Sequence, residues 1–95
     1  MAKRPNILIC DDQATIRTSL GEALSGEGYE VHEAGNGAEA RSLLAEREFD
    51  LALLDLKLPD TTGVEILRGM REQGLDIPTI LMTAYGDTPT AVEAM

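Results

Sequence analysis

Short apolar runs alternate along the chain with longer segments whose apolar residues recur at the period of a helix. Three of the runs are apolar almost throughout, which is typical of strands buried on both faces of a parallel sheet. A fourth run alternates apolar and polar residues and predicts an edge strand. The predicted strands are residues 6–10, 29–34, 50–54 and 78–82.

The segments between these runs carry the start and stop signals of helices. In three of them a Thr or Asn precedes a Glu by three residues, a capping pattern that opens helices. Glycines follow the first and third segments, as is common where helices end. The helices are predicted at about residues 14–25, 36–47, 62–74 and from 89 onward.

This alternation predicts an α/β fold, with one doubly wound parallel sheet between two layers of helices and right-handed crossovers. A chain of 95 residues is the size of one domain. Ligands of such sheets bind beyond the carboxyl ends of the strands. Four polar residues follow the predicted strands there, and we expect them to converge on one edge of the sheet: Asp11, Asp12, Asp55 and Thr83.

The charge of the chain limits its partners. Seventeen acidic against eight basic residues give a net charge of −9, which repels nucleic-acid phosphates and anionic lipids. We therefore expect no direct nucleic-acid binding by this segment and no membrane association. The basic first residues are followed by only a short apolar run, so neither a signal peptide nor a membrane span is predicted. The single cysteine, Cys10, excludes an internal disulfide, and we expect a cytoplasmic protein.

Three carboxylates held at one edge of a sheet repel one another, and such a cluster persists when a hard cation neutralises it. Mg²⁺ is the candidate, because it prefers oxygen ligands and is commonly bound by carboxylates together with a phosphate oxygen. At such a site an aspartate can act as a nucleophile toward a phosphoryl group. Simpler interpretations stay open at this point: Asp11 and Asp12 as helix-capping acids, and Asp55 and Thr83 as turn residues.

Three motifs stand at the predicted strand ends. They are the pair DD after the first strand, LLDLKLPDTTG around Asp55, and LMTAYGD around Thr83. In this order they resemble the receiver domains of bacterial two-component response regulators. The wording of the second and third motifs is similar to that of receivers of nitrogen-regulation-type transcriptional activators. The resemblance implies a flavodoxin-like fold.

The function that this resemblance implies is a phosphorylation-dependent signalling switch and not an enzyme. Asp55 would be the phospho-acceptor, receiving a phosphoryl group from a sensor histidine kinase in a phosphorelay. The implied magnesium ligands are Asp11, Asp12, Asp55 and the backbone carbonyl of Lys57. Thr83 would hydrogen-bond the phosphoryl group, and residues 84–95 would move as the readout. The altered binding surface would regulate an output, namely transcription, through an output domain beyond residue 95.

One departure from the family lies at the C-terminal end. Receivers continue through a fifth strand, which carries a lysine that pairs with the phosphoryl group, and a fifth helix, whereas no lysine follows Lys57 here. The resemblance thus implies an incomplete receiver domain over residues 1–95, with the fifth strand and fifth helix missing and apolar sheet surface uncovered. We expect either a truncated piece of a longer domain or a chain completed by a homodimer or by strand exchange.

Two other functions stay open on the sequence. One is a binding-only or phosphorylation-incompetent receiver fragment, in which the acids are kept while the missing lysine prevents phosphorylation. The other is a Mg²⁺-dependent phosphohydrolase with an aspartyl nucleophile. Phosphohydrolases of the haloacid dehalogenase type place nucleophile and acid two residues apart after the first strand. Here Asp11 and Asp12 are adjacent, and the best nucleophile follows the third strand.

Overall fold

A computed structural model of the protein describes residues 4–82 in full and residues 92–94 by their backbone. Strands and helices alternate through the first seven elements, as the sequence predicts. The elements are β1 (Asn6–Cys10), α1 (Ala14–Gly26), β2 (Glu30–Ala34), α2 (Gly37–Glu46), β3 (Leu51–Asp55), α3 (Gly63–Glu72), β4 (Thr79–Met82) and β5 (Val92–Ala94).

The strands form one sheet in the order β2-β1-β3-β4-β5, and the first four are parallel. The predicted doubly wound parallel sheet is thereby confirmed, and its order is that of flavodoxin-like folds. The alternating strand β2 lies at the edge, as predicted. From β1 the chain adds β2 on one side of this strand and then adds β3 and β4 on its other side. The strand order therefore reverses between β1 and β3. This is the place where such sheets bind ligands.

The prediction of a helix from residue 89 onward is wrong for the residues that the structure describes there. Val92–Ala94 form a strand that pairs antiparallel with β4, aligning Ile80 with Glu93. A short helix has to meet the cost of its first turn, whereas the edge of β4 offers backbone groups that are ready to pair. In the described sheet the outer edge of β4 is therefore paired. The strand that pairs with it is antiparallel and lies within these 95 residues.

The two capping patterns in the described part of the chain function as predicted. Asn36 Oδ1 accepts a hydrogen bond from the Glu39 N–H at 2.8 Å, and Thr62 Oγ1 accepts one from the Glu65 N–H at 3.1 Å. Each side chain satisfies an N–H that the first turn of a helix leaves without a partner. The starts of α2 and α3 are therefore set locally by the sequence.

Apolar side chains cover both faces of the sheet. The face under α2 and α3 is the larger core, and its fully buried members include Leu8, Cys10 and Leu54. The other face contains Ile7, Ile9 and Leu53, against which α1 packs Leu20 and Leu24. On that second face Ile80 and Met82 of β4 are only partly buried. The sheet is thus better covered on one face than on the other.

In the part of the chain that the structure describes, no helix combines the length and the apolarity that crossing a membrane requires.

Candidate functional site

Three carboxylates meet at the carboxyl edge of the sheet. Asp11 and Asp12 follow β1, and Asp55 is the last residue of the neighbouring strand β3. Each contributes an oxygen to a group in which all the oxygens lie within 4.8 Å of one another. Asp11 and Asp55 are buried, with 3% and 4% of their surface exposed, while Asp12 is exposed. Thr83, the fourth residue that we expected at this edge, lies outside the described residues.

Hydrogen bonds donated by the two residues that follow Asp55 hold it at the end of β3. The Leu56 N–H donates to the Met82 carbonyl at 2.8 Å, which continues the pairing of β3 with β4. The Lys57 N–H donates to Asp55 Oδ1 at 3.3 Å. The predicted ligand Lys57 therefore places its main chain beside the cluster.

The surroundings of Asp55 favour its neutral form. Burial raises the pKa of the Asp55 carboxyl above its ordinary value, and the nearby charges of Asp11 and Asp12 raise it further. The Lys57 N–H works in the opposite direction and stabilises the carboxylate. A cation placed among the oxygens would remove the repulsion that disfavours the charged form.

Asp11 is fixed by a turn and by an arginine of α1. Its Oδ1 accepts a hydrogen bond from the Gln13 N–H at 2.9 Å. Its backbone carbonyl accepts one from Arg17 Nη1 at 2.7 Å, and Arg17 Nε contacts Glu33 Oε1 of β2 at 3.3 Å. Arg17 was not among the residues predicted for the site, although a lone basic residue one turn into the helix after an acidic pair is a usable signal. Its guanidinium joins the end of β1 to β2.

Replacing Arg17 with methionine is expected to lower the free energy of unfolding by about 1.5 kcal/mol, since it removes a charge-assisted hydrogen bond to a partly buried carbonyl. The matched control is Arg71→Met on an exposed position of α3, where we expect a change of less than about 0.5 kcal/mol. Urea unfolding followed by circular dichroism measures both. Equal changes in the two variants would mean that the Arg17 contacts contribute nothing.

The loop between β3 and α3 closes tightly on itself. The Leu58 N–H donates to the Thr61 carbonyl at 3.1 Å, and Lys57 and Thr62 form an isolated antiparallel bridge. The Gly63 N–H then donates to the Leu56 carbonyl at 3.1 Å. The loop of residues 56–62 is therefore a compact unit that begins at the acidic cluster.

Gly63 lets α3 start directly against β3. A Cβ atom at this position would lie 2.5 Å from the Asp55 carbonyl oxygen and 3.2 Å from Leu81 Cδ2. Real Cβ atoms do not approach a backbone oxygen that closely. Glycine is required here for close packing of the helix on the strand that carries Asp55.

The chemistry of the donor set suits a hard cation. Carboxylate oxygens are ligands that Mg²⁺ takes in proteins, with water or a phosphate oxygen completing its coordination. The nearby thiol of Cys10 does not join this set. Burial, followed by the charges of Asp60, Asp11 and Asp55, raises the pKa of Cys10 to about 12, and its Sγ lies 3.4 Å from the Asn36 carbonyl.

Comparison with known families and proteins gives consistent matches. The model of a family described as "Response regulator receiver domain" matches residues 7–95. Regulatory protein AtoC of Escherichia coli is 42% identical over 89 residues, which make up 94% of this chain and 19% of that protein. Sporulation initiation phosphotransferase F of Bacillus subtilis is 44% identical over 81 residues, or 85% of this chain and 65% of that one. The chain therefore spans less than two thirds of either relative.

Solved structures show the same fold. Response regulator protein TrrA of Thermotoga maritima, crystallised in complex with Mg(2+)-BeF, superimposes with a TM-score of 0.80 at 38% identity, covering 87% of this chain and 72% of that chain. A CheY-like response regulator receiver domain protein of Methanospirillum hungatei gives a TM-score of 0.83 at 36% identity, covering 88% and 67%. The likeness extends over most of the elements described above.

Proposed function

Because the chain belongs to the family of response regulator receiver domains, we propose that it is a phosphorylation-dependent switch in which Asp55 accepts a phosphoryl group from a sensor histidine kinase. One Asp55 carboxylate oxygen would form the bond to phosphorus while the phosphorus–nitrogen bond to the kinase histidine breaks. The leaving imidazole nitrogen takes up a proton. The output is a changed binding surface, so the chain releases no product of its own.

The observation that carries this proposal is the placement of Asp55. It is the buried end of an apolar strand, and two further carboxylates approach it within 4.8 Å. A structural role alone does not account for acids that raise one another's free energy in this way. Burial and the charges of Asp11 and Asp12 raise the pKa of Asp55, and a cation among these oxygens would offset that repulsion and keep Asp55 in the ionised form that a nucleophile requires.

A cation fits the same oxygens. We propose that Asp11, Asp12, Asp55 and the Lys57 carbonyl hold Mg²⁺, as the Mg(2+)-BeF complex of TrrA suggests for a similar chain. When bound, the ion supplies positive charge that offsets the carboxylates and the phosphoryl oxygens. Arg17 contributes indirectly, because its hydrogen bond to the Asp11 carbonyl keeps the Asp11 backbone in place.

The switch itself is proposed for the segment after β4. Met82 pairs in register with Asp55, and Thr83 is the next residue along the chain. We assign to Thr83 a hydrogen bond to the phosphoryl group and to residues 84–95 the movement that reports it, a shift of population between two arrangements. In a longer protein an output domain would respond to this movement, and the regulatory name of AtoC supports transcription as the output.

The one cysteine, buried at Cys10, fits the reducing cytoplasm as the place of the switch.

A binding-only receiver is the second candidate. The acidic cluster could hold a cation whether or not a phosphoryl group is transferred to Asp55. In that case the chain would keep the acidic site and bind a cation without retaining a phosphoryl group.

Phosphorylation can be tested directly on this chain. We expect incubation with Mg²⁺ and a small acyl phosphate to add the mass of one phosphoryl group to the wild type and to Asp76→Ala, which removes an exposed acid remote from the cluster, and none to Asp55→Ala. Intact mass spectrometry measures the uptake, and circular dichroism checks that each variant is folded. Uptake that persists in Asp55→Ala would remove Asp55 from its role. No uptake by the wild type, with normal Mg²⁺ binding, would favour the binding-only receiver.

A further inference from the structure

Asp60 connects the β3–α3 loop to the start of a different helix. Its two carboxylate oxygens accept hydrogen bonds from the Gly37 N–H at 2.8 Å and the Ala38 N–H at 3.0 Å. These are the first two residues of α2. The helix already has its own cap in Asn36, which binds the Glu39 N–H. Asp60 therefore accepts hydrogen bonds from the two helix N–H groups to which the Asn36 side chain does not bind.

The approach of the loop to the helix is close. A Cβ atom at Gly37 would collide with Thr61 Cγ2 and would lie 3.2 Å from Asp60 Oδ1. The N–H groups of Gly37 and Ala38 lower the pKa of Asp60, so that the carboxylate is ionised where it binds them. The sequence around Asp60 gives no sign of this contact, because its partners precede it by more than twenty positions.

The anchored loop leads straight to the acidic cluster. Asp60 lies at its tip, inside the turn that the Leu58–Thr61 hydrogen bond closes, and the Lys57–Thr62 bridge flanks this turn. At the base of the loop the Lys57 N–H donates to Asp55 Oδ1. Because these short-range bonds make residues 56–62 one compact unit, fixing the tip on α2 also fixes the main chain of Lys57.

We propose that Asp60 is a positioning residue of the cation site: by anchoring the loop tip to the N-terminus of α2, it holds the Lys57 main chain in the place that cation binding at Asp55 requires. This role rests on the proposed function of the cluster as a Mg²⁺ site. Residues that orient metal ligands from outside the coordination sphere typically change affinity by about 10- to 100-fold when they are removed. Asp60 acts one step further away, so we expect a smaller effect.

The test compares Mg²⁺ binding by the 95-residue chain and three variants. Asp60→Ala is expected to weaken Mg²⁺ binding by about 3- to 10-fold, below the usual range for direct orienting partners. Asp60→Asn, which keeps one acceptor oxygen, should recover part of the affinity. The matched control is Asn36→Ala, which removes a capping bond from the same helix terminus but leaves the loop anchor in place, and we expect wild-type affinity. Isothermal titration calorimetry with MgCl₂ gives the dissociation constants.

Amide spectra add a readout that separates positioning from general stability. In ¹⁵N–¹H spectra the Gly37 and Ala38 signals should move on Asp60→Ala, as loss of a charge-assisted hydrogen bond requires, while Asn36→Ala should move the Glu39 signal instead. Wild-type affinity in Asp60→Ala, or equal weakening in Asn36→Ala, would overturn the role of Asp60 alone. A wild-type chain that binds no Mg²⁺ would overturn the proposed cation site and this role with it.

Discussion

Replacing Gly63 with alanine is expected to lower the free energy of unfolding by about 2 to 3 kcal/mol, the upper part of the range for overpacking a well-packed region. The added Cβ would lie 2.5 Å from the Asp55 carbonyl oxygen. That oxygen cannot withdraw easily, because the end of β3 is paired with β4 on one side. Relief therefore requires α3 to move away from the strand. Urea unfolding followed by circular dichroism measures the loss.

The matched control lies in the same helix. Gly69 of α3 has nothing within 4 Å of an added Cβ, and its substitution by alanine should stabilise the domain by about 0.5 to 1 kcal/mol, because alanine is the better helix former. The two glycine-to-alanine changes are thus expected to have opposite signs. A Gly63→Ala variant as stable as Gly69→Ala would show that α3 is free to shift and that close packing on Asp55 is not required.

Replacing Asp55 with asparagine is expected to make the folded chain more stable at pH 7 when Mg²⁺ is absent. Unit charges about 4.8 Å apart, the upper limit of the spacing in the cluster, repel by about 1 kcal/mol in water and about 3.5 kcal/mol at the effective dielectric constant of a protein surface. We therefore expect a gain of about 1 to 3 kcal/mol. Asparagine has nearly the same shape and keeps an acceptor for the Lys57 N–H.

The pH dependence of stability has a definite sign. The pKa of Asp55 is higher in the folded state than its ordinary value, so between the two values the folded chain binds the proton more tightly than the unfolded one. Stability from this group is therefore present at low pH, falls as pH rises through that interval, and stays lost at neutral pH. The difference between wild type and Asp55→Asn should accordingly shrink on acidification.

Magnesium should reverse the order of the two proteins. An ion that binds the folded wild type raises its unfolding free energy with concentration, while Asp55→Asn, which lacks one ligand charge, should gain less. Thermal melts with and without MgCl₂ at pH 5 and pH 7 measure both effects, with Asp76→Asn as an exposed control. An Asp55→Asn variant that is less stable than wild type at pH 7 without the ion would contradict the repulsion on which this prediction depends.

The sequence predicted those features that depend on local pattern. Apolar runs identified β1, β3 and β4, because strands buried between two helix layers need side chains of this kind throughout, and an alternating run identified β2 at the edge. The rule for carboxyl ends of parallel strands then brought Asp11 and Asp55 together, although they are far apart in the chain. The roles of these acids and of Thr83 stay predictions.

What the sequence did not predict depends on partners distant in the chain. Thr90 and Glu93 form a helix-opening pattern, yet Val92–Ala94 pair with β4, because the free edge of a strand competes with a local signal and cannot be read from the segment itself. The contacts of Asp60 were missed for the same reason, because it binds backbone N–H groups of α2 more than twenty positions earlier in the chain. Arg17 is a different case, since its partner Asp11 lies only six positions away.

The central position of β1 has a consequence for the order of events in folding. The first strand of the chain pairs with β2 on one side and with β3 on the other, and the hydrogen bond between Asn6 and Asp50 spans 44 positions. Contacts between residues so far apart form slowly, because a long loop must close before they contribute. The two halves of the acidic cluster therefore meet only after β3 has docked on β1. In a chain that is interrupted before that step the aspartates stay separate, solvated acids, so cation binding at the proposed site would report that the sheet has been assembled.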